Sequence, residues 1–122
     1  MLRADFGRIL VRAGANVQDG SVLHGGNDPE TEVGPGATIG HVCVVHGAVI
    51  GARTLIGAGS LVPPNAVIPD EVMALGAPAR VRGPLSAGAA VWVDGNPSIY
   101  QELARRHATS VAPVPHPSDS SA

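Results

Sequence analysis

Three of the five histidines in this 122-residue chain, His24, His41 and His46, fall where neutral imidazoles could converge on one divalent metal ion. Three imidazoles with a fourth position left open make a catalytic rather than a structural zinc site, because the ion can then bind and activate water. His107 and His116 lie outside this spacing and read as solvated side chains.

The elements that would carry these histidines are set by an internal repeat. An aliphatic residue, often followed by Gly, recurs about every six positions, with a small residue four places on. Units open at Val11, Val17 and Leu23, at Val33, Ile39 and Val45, at Ile50, Ile56 and Val62, and at Ile68. Three such units make one triangular coil, so the expected fold is all-β: a left-handed parallel β-helix of hexapeptide repeats. Two irregularities interrupt the period. Extra residues put a protruding loop at Gly25 to Glu32, and the unit at Val45 is one residue short. Coils stack at about 4.8 Å, so residues at equivalent positions one coil apart are neighbours. His24 and His46 each follow the opening residue of a unit (Leu23 and Val45) and form such a pair. His41 lies on another face, two places after Ile39, and reaches the same ion more readily from a second subunit. The expectation is a homotrimer that shares its sites between subunits.

Composition agrees with a narrow aliphatic core, since 44% of residues are hydrophobic but only 2% aromatic. The length suits one domain, with the β-helix expected over 1–84. After Pro78 the repeat fades, and Pro97 to His107 has helical character within a helical segment, 85–108, that packs on the coil. The Ser/Pro-rich 109–122 is expected to be a disordered tail. A net charge of −2, with all eight basic residues arginine and none in a run, leaves no footprint for nucleic acid. Without a membrane-length apolar stretch or a signal-like start, and with Cys43 alone, the expected setting is soluble and cytoplasmic.

From Leu2 to Ala79 the chain resembles the γ-class carbonic anhydrase family. The resemblance rests on Arg3-Ala4-Asp5, on Asn16-Val17-Gln18-Asp19-Gly20-Ser21-Val22-Leu23-His24, on Gly40-His41-Val42-Cys43-Val44-Val45-His46-Gly47, and on Gly76-Ala77-Pro78-Ala79-Arg80. It implies zinc, with iron or cobalt as alternatives, held by His24 and His46 of one subunit and His41 of the next, and reversible hydration of CO2 to bicarbonate. It also implies that Gln18 hydrogen-bonds the metal-bound water or bicarbonate, with Asn16 beside it. Arg3, Asp5 and Asp19 would form a charged network between subunits. Tyr100 of the terminal helix would either reach the pocket or pack in the core. The register places Gln18 on the face of His41 one coil earlier, and Arg3 in the row of His24 and His46. Asn16 and Asp19 also read as turn residues of the kind β-helix corners favour. Relative to the family the helix is N-terminally short, and one coil is skipped between Leu55 and Gly59.

Two other functions fit the same coils. Hexapeptide-repeat acyltransferases use one histidine as general base toward an acyl-coenzyme A, with no need for the His24, His41 and His46 spacing. A non-catalytic metal-binding trimer needs the histidines but no pocket.

Overall fold

In this computed structural model, which describes residues 1–120, the chain winds four times around a triangular core. The first coil holds β1 (Leu2–Arg3), β2 (Ile9–Val11) and β3 (Asn16–Val17), and the second β4 (Val22–His24), β5 (Thr31–Val33) and β6 (Thr38–Ile39). The third holds β7 (Val44–His46), β8 (Val49–Ile50) and β9 (Leu55–Ile56), and the fourth β10 (Leu61–Val62), β11 (Val67–Ile68) and β12 (Val72–Gly76). Each side of the prism is a parallel sheet: β1-β4-β7-β10, β2-β5-β8-β11, and β3-β6-β9-β12. On the third, β13 (Ala79–Pro84) folds back antiparallel on β12.

Unit openers explain why the strands sit where they do. Leu23, Val33, Ile39, Val45, Ile50, Ile56, Val62 and Ile68 all point into the core and are buried, with Ala37, Cys43, Thr54 and Ser60 buried four places after their openers. In most units the fourth residue turns the corner in the left-handed region, glycine at Gly20 (φ 77°) but valine at Val42 (φ 56°). No bulky aromatic enters so thin a prism, which accounts for the composition.

The expected β-helix with a C-terminal helix is therefore what the chain forms, and three details differ from the expectation. The protruding loop is shorter, Gly25 to Glu30, because Thr31 and Glu32 join β5 and Thr31 is buried. The terminal helix, α1 (Ala87–Ser110), starts ten residues before Pro97. Ser86 caps it by accepting from the Ala89 N–H, the alanine-rich first turn favours helix, and Pro97 is carried inside at the cost of one backbone bond. At the other end Thr109 and Ser110 are helical, not tail, with their hydroxyls donating back to the carbonyls of Arg105 and Arg106. A short 3-10 turn, Pro117–Ser120, follows an irregular stretch; Ser121 and Ala122, the end of the expected tail, lie outside the described residues. Helix α1 covers the outer face of the β3 sheet, burying Val93 and Asn96. An Arg53 clasp to Asp94 fastens it to a corner. Among the described residues no helix is long and apolar enough to cross a membrane.

Candidate functional site

On the β1 sheet, parallel pairing sets Arg3 opposite His24 and His24 opposite His46. Their neighbours Leu23 and Val45 point inward, so all three project outward in one row. The rings of His24 and His46 lie with centroids 4.4 Å apart, tilted by 49°. Asp5 closes the row's edge: its Oδ2 accepts from Arg3 Nε at 2.8 Å and faces His24 Nε2 at 3.3 Å. The His24 hydrogen bond first, and Arg3 after it, hold the Asp5 carboxyl below its ordinary range. Beside this row runs an apolar one, Val22, Val44 and Leu61, in register across the same sheet.

The strand ends that carry the two histidines are tied together by a residue that the repeat pattern gives no reason to single out. Thr31 is fully buried; its hydroxyl donates to the His24 carbonyl at 2.6 Å and accepts from the Gly47 N–H at 2.8 Å. The Gly25 to Glu30 loop lies over the same corner. A Cβ on Gly26 would come within 2.7 Å of the Gly47 Cα, so only glycine allows the loop this close. Glu30 anchors the loop by accepting from Arg8 Nε at 2.8 Å, and that bond lowers its carboxyl pKa.

Gln18 and Asn16 project from the β3 sheet and are buried beneath α1. Gln18 Nε2 donates to Asn16 Oδ1 at 3.2 Å, and Asn16 Nδ2 donates to Thr38 Oγ1 at 3.0 Å. The same Thr38 oxygen accepts from Asn96 Nδ2 of α1 at 3.1 Å. Gln18 Oε1 is left buried with no partner in the chain. An orphaned acceptor costs about 1–3 kcal/mol, which marks this amide as one built to meet something else. The turn-residue reading of Asn16 gives way here, because its side chain bonds across the sheet to Thr38 and not to its own corner. Carrying the 22-residue register forward from Asn16 finds Thr38; nothing in the sequence finds Asn96, because no coil register extends into the expected helical segment that holds it.

His41 and Asp19 occupy the corner between the β3 and β1 sheets, on consecutive coils. The strand register continues into this corner, bringing Asp19 over His41, and the Val42 N–H donates to the Asp19 carbonyl. The chain thus does not bring His41 or Asp19 to the His24 and His46 row. Among the described residues no three His, Cys, Asp or Glu side chains of one chain gather around a point that could hold a metal ion. Tyr100 lies half-buried one helical turn beyond Asn96. As a donor set, His24 and His46 suit a divalent ion as far as two stacked imidazoles can, and a third ligand has to come from outside the chain.

No family model matches the chain. It is 36% identical to the carnitine operon protein CaiE of Escherichia coli K12 across 86% of this chain and 63% of that protein, so it spans less than two thirds of that relative's length. A solved Bacillus cereus protein, provisionally named an acetyltransferase, superposes with a TM-score of 0.69 at 25% identity over 87% of this chain and 76% of its own. Serine acetyltransferase of Brucella abortus superposes at a TM-score of 0.57 and 23% identity, over 70% of this chain and 38% of its own, a likeness of fold alone. None of these names is that of a carbonic anhydrase. By repeat, sheet topology and these likenesses, the chain is a hexapeptide-repeat left-handed β-helix protein.

Proposed function

We propose that the chain assembles as a homotrimer in which His24 and His46 of one subunit and His41 of the next hold a divalent metal ion. Zinc is the first choice and iron or cobalt the next, and the centre hydrates CO2 reversibly to bicarbonate. The observation that carries this reading is the register pairing of His24 with His46, with ring centroids 4.4 Å apart. A hexapeptide coil serves several chemistries, so the side chains at the site weigh more than the likeness of the coil. Bound there, the metal would lower the pKa of water to about 7, the general figure for zinc hydratases such as carbonic anhydrase, and so supply hydroxide near neutral pH.

This chain's own residues then have distinct tasks. His24 and His46 fix the ion's place on the β1 sheet, and Thr31 keeps their strand ends in step. Gln18 offers a carbonyl oxygen to a group with a proton to give. Asp5 and Arg3 steady the His24 ring and present a guanidinium beside it for an anionic product. The apolar row Val22, Val44 and Leu61 favours burying this face against a second subunit. Metal analysis with a CO2 hydration assay on wild type and His46→Ala tests the reading. It fails if purified protein is metal-free, or if His46→Ala hydrates CO2 as fast as wild type.

The comparisons favour a second reading, acyl transfer. His24, oriented by Asp5, would take the proton from an acceptor hydroxyl or amine as that atom bonds to the thioester carbon of an acyl-coenzyme A. The carbon–sulfur bond then breaks, and His24 returns the proton to the leaving thiolate. This chemistry needs neither metal nor His41. Thiol release from an acyl-coenzyme A that survives chelation and His41→Ala would establish it in place of the first.

A further inference from the structure

Three amide side chains and one hydroxyl form a buried line from the terminal helix to Gln18. We propose that Asn96 and Thr38 are positioning residues, which lock the Gln18 amide so that Oε1 is the free acceptor presented to the site's ligand. The inference rests on the metal-hydration reading for its consequence, but the lock itself is a property of the chain alone.

Asn96 is buried on α1, and its amide donates into Thr38 Oγ1 across the gap between helix and sheet. Thr38 is buried too, and Asn16 donates into the same oxygen from the coil before. A threonine oxygen has two acceptor lone pairs, and these two amides use both. Thr38 is thereby held in one rotamer, which sets where Asn16 Nδ2 must point and leaves Asn16 Oδ1 turned toward Gln18. Gln18 answers with Nε2, so its oxygen is the end without a partner. The polarity selects ligand chemistry. A lone acceptor is satisfied by water or by the hydroxyl of bicarbonate, and CO2 has no proton to offer it. Gln18 therefore holds the hydrated species. A helix far along the chain from the histidines thus orients a group of the site, which neither the repeat nor the histidine spacing assigns.

The experiment uses side-chain amide NMR of metal-free protein, with Gln18→Glu to identify the Gln18 signal, followed by steady-state kinetics of the zinc-loaded enzyme. Wild type should show one shifted, slowly exchanging Gln18 Nε2 proton. Asn96→Leu and Thr38→Val should lose that protection, and Thr38→Ser should restore it. In the loaded enzyme the first two variants should lower kcat about tenfold with KM for CO2 nearly unchanged, the range expected of outer-shell partners, and Thr38→Ser should recover most of it. Gln18 protection that persists in both Asn96→Leu and Thr38→Val, at normal assembly mass, overturns the lock. A lost lock with kcat unchanged overturns the positioning role. If wild type holds the lock but binds no zinc, the hydration reading fails and the positioning role with it, while the NMR result on the amides stands apart.

Discussion

Val42 is the residue where local geometry and site meet most tightly. It follows His41 and holds a left-handed backbone at φ 56°, in a corner that four other units fill with glycine and three with Arg53, Asn65 and Glu71, none of them β-branched. A β-branched residue there is strained by about 1–2 kcal/mol. Val42→Gly should therefore raise unfolding stability by about 1 kcal/mol, net of glycine's greater unfolded entropy, as read by urea denaturation. A loss of stability would mean that the valine side chain packs against something in the assembly. Thr31 makes the opposite prediction. Thr31→Val keeps the shape but removes both hydroxyl bonds, leaving the His24 carbonyl and the Gly47 N–H only their direct 3.3 Å bond to each other, so it should cost about 1–3 kcal/mol of stability. Burial pushes the Cys43 thiol pKa up, and the residue has no exposed surface. It should resist a maleimide in the folded protein and react once denatured.

At the scale of elements, the Gly25 to Glu30 loop depends on a carboxylate. Arg8 lowers the Glu30 pKa, so the tether is complete above the ordinary carboxylate value and is lost as pH falls through the lowered folded one. Protection of this loop from hydrogen exchange, taken relative to the intrinsic rate at each pH, should fall at acid pH before that of the coils, and loop and coils losing protection together would contradict it. The strands themselves were legible in the sequence, because an inward residue every six positions is a packing rule that residues such as Leu23, Ile39 and Val45 obey without help from distant parts of the chain. The loop's end was less legible, since Thr31 and Glu32 look polar enough for a loop, yet Thr31 is buried by two hydrogen bonds. The start of α1 was hidden for a different reason. Pro97 suits a first helical position, and contact with the coil, through Val93, Asn96 and the Asp94 clasp, adds to the Ser86 cap in stabilising the ten residues before it. Asn96 could not have been assigned to the site, because its partner Thr38 is 58 residues away and no period links a helix to a coil.

For the whole molecule, the pairing of His24 with His46 was foreseeable from coil register, while the meeting with His41 is a matter of assembly that one chain does not contain. The outer row Val22, Val44 and Leu61 is the surface expected to drive that assembly. Leu61→Glu should lower the mass in solution toward a monomer and abolish metal retention together. Metal retained by a monomer would contradict a shared site. The most direct measurement combines two defective subunits. His46→Ala and His41→Ala trimers should each bind no zinc, because every site lacks one ligand. In a mixed trimer, one interface joins an intact pair to an intact His41. Random assembly from equal amounts should therefore restore about one quarter of the wild-type zinc content, given closed three-fold symmetry. A mixture that stays metal-free, or a His41→Ala trimer that binds zinc alone, would contradict the account.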